Sequence, residues 1–341
     1  MRTAVFSTKA YDRRFLDEAN KAFGHEFEYF DARLDASTAP LAHGFPAICA
    51  FVNDCLDAAV LKTLAAGGTK VVALRCAGYN NVDLDTAEAL GIDVLRVPAY
   101  SPHAVSEFTI GLLLALERKL CRAWNRVREN NFALDGLLGR ELHGKRVGVV
   151  GTGRIGGLVA RALKLGFGCD VVATDEYEDP ELKAIGVRYV GIDSLVQESD
   201  IVTLHCPLTP STHHVINAKN IALAKTGFVL INTSRGALVD AGALIDGLKS
   251  GKIGGVALDV YEQEADLFFE DLSNEIIQDD VFQRLMTFPN VLLTGHQAFF
   301  TDEALTAIAD TTLKNLADAE SGRPLENKLT PAAHVGVKTP G

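Results

Sequence analysis

The sequence runs to 341 residues, a length that suggests about two domains at roughly 150 residues each. Hydrophobic residues make up 48% and charged residues 23%, which excludes a disordered tail protein, a collagen and a disulfide-stapled miniprotein. A net charge of −11 lowers the expectation of a nucleic-acid partner. The longest apolar runs, such as Thr109–Leu116, fall short of the ~20 residues that span a bilayer, so no membrane association is expected. The opening MRTAVFSTKAYDRR returns to charge too soon for a signal peptide. Six cysteines (Cys49, Cys55, Cys76, Cys121, Cys169, Cys206) contain no C-x-x-C pair, which fits free thiols in a reducing cytosol better than disulfides or a zinc cluster. A cytoplasmic protein is expected.

Short β-branched runs alternate with helical patterns along the whole chain, as parallel βαβ units require. The first third predicts strands at Thr3–Phe6, Phe27–Phe30, Ala47–Val52, Lys70–Leu74 and Val94–Val97, with helices around Arg13–Ala22, Leu56–Ala66 and Leu84–Leu90. One long helical pattern follows from about Ser101 to Asn130, opened by Ser101 as N-cap and Pro102 at the first helical position. Further strands are predicted at Arg146–Val150, Asp170–Thr174, Ile201–His205, Phe228–Asn232, Gly255–Val260 and Val291–Thr294, with helices in the gaps and a last helix near Asp302–Ser321. The pattern reads as α/β, in two units meeting near residue 100.

The strand Arg146–Val150 runs into Gly151-Thr152-Gly153-Arg154-Ile155-Gly156, and a helical pattern follows. G-x-G-x-x-G is weak evidence alone; between a strand and a helix it marks a dinucleotide site. The first glycine makes the turn, the second admits a pyrophosphate, and the third lets helix pack on strand. Free N–H groups and the positive dipole end of the helix face the phosphates. Asp175 ends the next strand, 19 residues past Gly156, where a carboxylate accepts from the ribose hydroxyls of NAD and repels the 2′-phosphate of NADP. NAD is the expected cofactor.

Three later strand ends carry polar residues suited to chemistry: Thr233-Ser234-Arg235-Gly236, Tyr261-Glu262-Gln263-Glu264 and Gly295-His296-Gln297. Hydride transfer to a 2-oxo acid needs a forked cation to hold the carboxylate and polarise the carbonyl. It also needs a group that hands a proton to the developing alkoxide, oriented by a carboxylate. Arg235, His296 and Glu264 fit these roles, although spacing alone leaves a surface ion pair, a structural histidine and a solvated turn open.

The chain resembles the D-isomer-specific 2-hydroxyacid dehydrogenases from RCAGYNNVDLD (75–85) to HQAFFTDEAL (296–305). Between these lie VPAYSPHAVSE (97–107), GTGRIG (151–156), HCPLTPST (205–212), NTSRGALVD (232–240) and LDVYEQEADLFFED (258–271). The acidic, aromatic stretch from Phe268 to Phe282 is similar to the lactate branch. The resemblance implies NADH-dependent reduction of pyruvate to D-lactate, with Arg235 binding substrate, His296 as acid/base and Glu264 as its partner. Ala77, Gly78 and Tyr100 would hold the substrate carboxylate, and Phe299 would close the pocket. Arg154 and Ile155 would meet the pyrophosphate, Asp175 the ribose, and Cys206 and Pro207 the adenine side. Asp259 would bind the nicotinamide carboxamide, and Thr233 and Ser234 belong with the cofactor set.

The implied fold is two Rossmann-like or flavodoxin-like parallel-sheet domains. An NAD domain (100–298) is inserted into a discontinuous substrate domain (1–99 plus 299–341). A homodimer or homotetramer is expected, because family members commonly dimerise through the NAD domain. A relative acting on a larger 2-oxo acid, and a non-enzymatic NAD-sensing corepressor, stay open as alternatives.

Arg118, Arg122 and Arg126, four apart, are expected on one helix face that packs on a partner subunit or on acidic neighbours. His213 and His214 are not expected to bind metal, because adjacent side chains on a strand point apart and no cysteine or carboxylate lies at a useful spacing.

Overall fold

The computed structural model describes residues 1–331. The chain divides into two compact units, Met1–Ser101 with the described residues from Phe300 onward, and Pro102–Phe299. Tyr100 thus falls in the first unit and Phe299 in the second.

The first unit opens with β1 (Arg2–Val5), α1 (Ala10–Asn20), β2 (Glu26–Tyr29), β3 (Ala47–Ala50), α2 (Ala58–Ala66), β4 (Val71–Leu74), α3 (Leu84–Ala89) and β5 (Asp93–Leu95). The second carries α4 (Pro102–Glu117), α5 (Leu120–Arg128), β6 (Arg146–Val150), α6 (Arg154–Arg161), β7 (Asp170–Thr174), α7 (Pro180–Ala184), β8 (Arg188–Tyr189) and α8 (Ile192–Glu198). It continues through β9 (Ile201–Leu204), α9 (Ala218–Leu223), β10 (Phe228–Asn232), α10 (Ala241–Lys249), β11 (Ile253–Leu258), α11 (Asp280–Met286) and β12 (Val291–Leu293). Helix α12 (Asp302–Glu320) returns to the first unit, where it packs on α1 and β4.

The first sheet has the order β2-β1-β3-β4-β5 and the second β12-β11-β10-β9-β6-β7-β8. Every strand pair is parallel. Strands β3, β4, β9 and β10 are buried at every residue, as expected where helices cover both faces of a parallel sheet. In the second sheet the order reverses between β6 and β9, and ligands of such sheets bind beyond the carboxyl ends of the strands at that reversal.

Two features differ from the sequence reading. The single long helix expected over 101–130 is two helices, with Lys119 between them in left-handed backbone (φ 52°, ψ 38°). Arg140 holds the break: its guanidinium donates two bonds, of 2.8 and 2.7 Å, to the buried carboxylate of Glu117. Arg118 therefore lies outside α5 and does not share a face with Arg122 and Arg126. Arg126 instead donates to the carbonyls of Ala133 and Asp135, bracing the loop that follows. Strand β8, two residues at the sheet edge, is too short to leave a periodic signal. Among the described residues, no helix is long and apolar enough to cross a membrane.

Candidate active site

The phosphate loop sits at the reversal point. Gly151 follows β6 with φ +90°, and a Cβ there would lie 2.5 Å from the Cys206 nitrogen at the end of β9. A Cβ on Gly156 would lie 1.9 Å from the Gly151 carbonyl oxygen, so the loop closes on α6 only without side chains at both positions. Gly153, the N-cap of α6, has no atom within 4 Å of its Cβ direction, which leaves open approach to the helix N-terminus. Arg154 and Ile155 begin that helix.

Asp175, exposed at the end of β7, is tied to the same loop. One carboxylate oxygen accepts from the Thr152 N–H at 2.5 Å and its hydroxyl at 3.2 Å, and the other from the Tyr177 N–H at 3.1 Å. The Tyr189 hydroxyl donates to the Thr152 hydroxyl at 2.9 Å, so the short edge strand β8 braces the loop. Cys206 is buried, and burial pushes its thiol up to about 11, which keeps it neutral. Pro207 follows it and accepts through its carbonyl from the Thr212 hydroxyl. His205, which sequence reasoning passed over, is pushed down to about 3 by burial and shares a 2.8 Å bond with the Thr203 hydroxyl.

Three neighbouring strand ends form one braced array. Asn232, at the end of β10, accepts from the Ser234 N–H and donates its side-chain amide to the Arg235 carbonyl at 2.8 Å. The Ser234 hydroxyl donates to the Cys206 carbonyl, and Thr233 and Thr109 share a hydroxyl bond of 2.8 Å. The Arg235 guanidinium donates to the Ser234 carbonyl at 2.7 Å, and no carboxylate among the described residues pairs with it. A forked cation is thereby left for an incoming anion. Asp259, one residue past β11, donates its N–H to the Asn232 carbonyl and accepts at its own carbonyl from the His296 N–H at 2.7 Å. The Asn232 side-chain amide and the main-chain bonds of Asn232 and Asp259 thus connect the Arg235 turn to His296.

The Asp259 side chain has 0% exposure, and burial raises its pKa. Its Oδ1 accepts from the Thr294 hydroxyl at 2.5 Å and the Gln297 N–H at 2.9 Å, while Oδ2 accepts from the Ala298 N–H at 2.8 Å. The carboxylate therefore clamps the 294–298 segment that carries His296, a job sequence reasoning did not assign to it. His296 has left-handed backbone (φ 51°), and its Nδ1 meets Glu264 Oε1 at 2.7 Å. The other Glu264 oxygen accepts from the Tyr261 N–H at 2.9 Å, which fixes the carboxylate. With Nδ1 engaged, Nε2 is left for proton exchange. Phe269 and Phe299 flank the imidazole, at ring-centroid distances of 5.8 and 6.4 Å.

Ala77, Gly78 and Tyr100 lie in the first unit. Ala77 and Gly78 follow β4, where the Ala77 carbonyl accepts from Arg96 at 3.1 Å and the Gly78 carbonyl from the Cys76 thiol. The buried Arg75 anchors this turn through Asp12 at 3.1 Å and the Ser7 carbonyl at 2.8 Å.

A family model described as D-isomer specific 2-hydroxyacid dehydrogenase, NAD binding domain, matches residues 110–298. The chain belongs to the D-isomer-specific 2-hydroxyacid dehydrogenase family. It is 51% identical to a D-lactate dehydrogenase of Escherichia coli, over 96% of this chain and all of that protein. Among solved structures, the pyruvate reductase of Chlamydomonas reinhardtii superposes with a TM-score of 0.90 at 47% identity, covering 96% of this chain and 98% of that one. A D-lactate dehydrogenase from Aquifex aeolicus, complexed with NAD and lactic acid, gives 0.83 at 34% identity over 94% and 96%. As in the family model, the second unit of this dehydrogenase is an NAD-binding domain. Its glycine loop, open helix N-terminus and Asp175 fit the pyrophosphate and ribose of that cofactor.

Proposed function

We propose that the chain reduces pyruvate to D-lactate with NADH, reversibly. The observation that carries this reading is the Glu264–His296 pair, with an Arg235 that no carboxylate among the described residues engages, in one unit with the phosphate loop. Bound NADH supplies a hydride to carbon 2 of the 2-oxo acid. Arg235 holds the substrate carboxylate in its fork and polarises the carbonyl. His296 gives a proton from Nε2 to the carbonyl oxygen, and Glu264 keeps the ring oriented and balances the imidazolium charge. In the reverse direction the same nitrogen takes the proton from the hydroxyl.

Ala77, Gly78 and Tyr100 are proposed to add carboxylate binding, and Phe299 to limit the space for the substrate's side chain. Arg154, Ile155, Thr233, Ser234, Cys206 and Pro207 are proposed cofactor contacts, and Asp259 a carboxamide contact in addition to its clamp on residues 294–298. A panel of 2-oxo acids tests the substrate assignment. Pyruvate should give a higher kcat/KM than phenylpyruvate, hydroxypyruvate or 2-oxoisocaproate; preference for any of these would overturn it.

Among the described residues none of the six cysteines forms a disulfide, which suits a cytoplasmic setting. The chain is also proposed to form a homodimer or homotetramer through its second unit. Trp124, Phe132, Leu134 and Leu138, on or soon after α5, are 61–88% exposed, and burial of these side chains in a subunit contact would favour association. Sedimentation equilibrium should return a multiple of the 36.6 kDa chain mass; a monomer at micromolar concentration would contradict it.

A further inference from the structure

His213 and His214 lie in a turn rather than a strand, and His214 takes left-handed backbone (φ 50°). Both rings therefore project to the same side, stacked with centroids 3.9 Å apart and planes 26° from parallel. The fold brings Glu262 to them from the segment after β11. Its Oε1 lies 3.2 Å from His214 Nε2 and 3.8 Å from His213 Nε2, and the three ligating atoms lie within 4.8 Å of one another. Both grounds for expecting no metal here are thus removed by the structure.

We propose that His213, His214 and Glu262 bind one divalent transition-metal ion of the zinc class. Ligand atoms at 2.0–2.1 Å around a tetrahedral ion are roughly 3.3 Å apart, close to the 3.2 and 3.8 Å that separate Glu262 from the two imidazoles. Two imidazole nitrogens with a carboxylate favour zinc, nickel or copper over magnesium or calcium, which take oxygen shells. The side chains are 32–41% exposed, which leaves the fourth position to water. The turn is held by the protein itself: His213 N–H donates to the Thr209 carbonyl, His214 N–H to the Ala237 carbonyl, and Asn217 to the His214 carbonyl.

The test uses the full chain in a Cys121→Ser background, which removes the exposed thiol as a competitor, after chelator treatment. Equilibrium dialysis against micromolar Zn2+, followed by elemental analysis, should show the double variant His213→Gln/His214→Gln holding one zinc fewer per chain. Retained NADH binding serves as its fold control. If the double variant does not fold, Glu262→Gln carries the same comparison and should also bind less zinc. Excess Mg2+ should not displace the ion. Equal zinc content with and without the histidines, or displacement by Mg2+, would overturn the proposal.

Discussion

Replacing Asp259 by asparagine isolates the clamp on the histidine-bearing segment. In either amide orientation the NH2 group faces a backbone N–H, of Gln297 or of Ala298, at 2.8–2.9 Å. One buried donor then loses its acceptor, which costs about 1–3 kcal/mol, and the two remaining bonds lose their charge assistance, about 1 kcal/mol each. Removing a buried carboxylate returns part of this, leaving about 2–4 kcal/mol. Relieving the clash by moving residues 294–298 lowers the population of the working His296 geometry by about 30- to 900-fold. At about 2–4 °C per kcal/mol for a domain of this size, Tm should fall by roughly 5–15 °C. Differential scanning calorimetry and steady-state kinetics on Asp259→Asn read both numbers. A drop in kcat larger than any rise in NADH Kd supports the clamp, and a rise in Kd alone leaves the residue with the cofactor contact only. A variant with kcat within about twofold and an unchanged Tm would refute the reasoning.

Arg235→Lys should lower kcat/KM for pyruvate by about 10- to 150-fold, the worth of one charge-assisted hydrogen bond that a point charge cannot make. NADH affinity, measured by fluorescence titration, should hardly move; equal losses in both would remove Arg235 from the substrate. Asp175→Ala should raise the ratio of kcat/KM with NADPH to that with NADH. It should also weaken NADH binding, because the Thr152 N–H loses its acceptor; an unchanged ratio would show that another residue reads the ribose. His205, pushed down to about 3 by burial, should show no imidazole titration by NMR between pH 8 and 5. Its depressed folded-state pKa adds stability that is present above about pH 6.5 and lost as pH falls toward about 3. A midpoint near 6.5 in the folded protein would contradict its burial.

Much of this arrangement is legible in the sequence because it is local or periodic. The glycine spacing of 151–156 follows an apolar strand directly, and strand Phe228–Asn232 is apolar without a break up to Ile231 because both sheet faces are covered. Arg235, Glu264 and His296 stand just past strand ends, where a parallel sheet gathers its chemistry. What escaped depends on backbone sign or on distant partners. Nothing in the amphipathic pattern of 101–130 marks Lys119 as left-handed, so two helices read as one. Asp259 looks like any aspartate past a strand, since its three partners lie 35–39 residues away. The left-handed turn at His214 hides the convergence of His213, His214 and Glu262 in the same way.

The most direct test of the proposed activity is turnover with chiral analysis of the product. Purified protein given NADH and pyruvate should consume both in equal amounts and yield lactate of the D configuration, with His296→Ala losing most of the rate. L-lactate as the sole product, or no NADH oxidation with pyruvate, would contradict it.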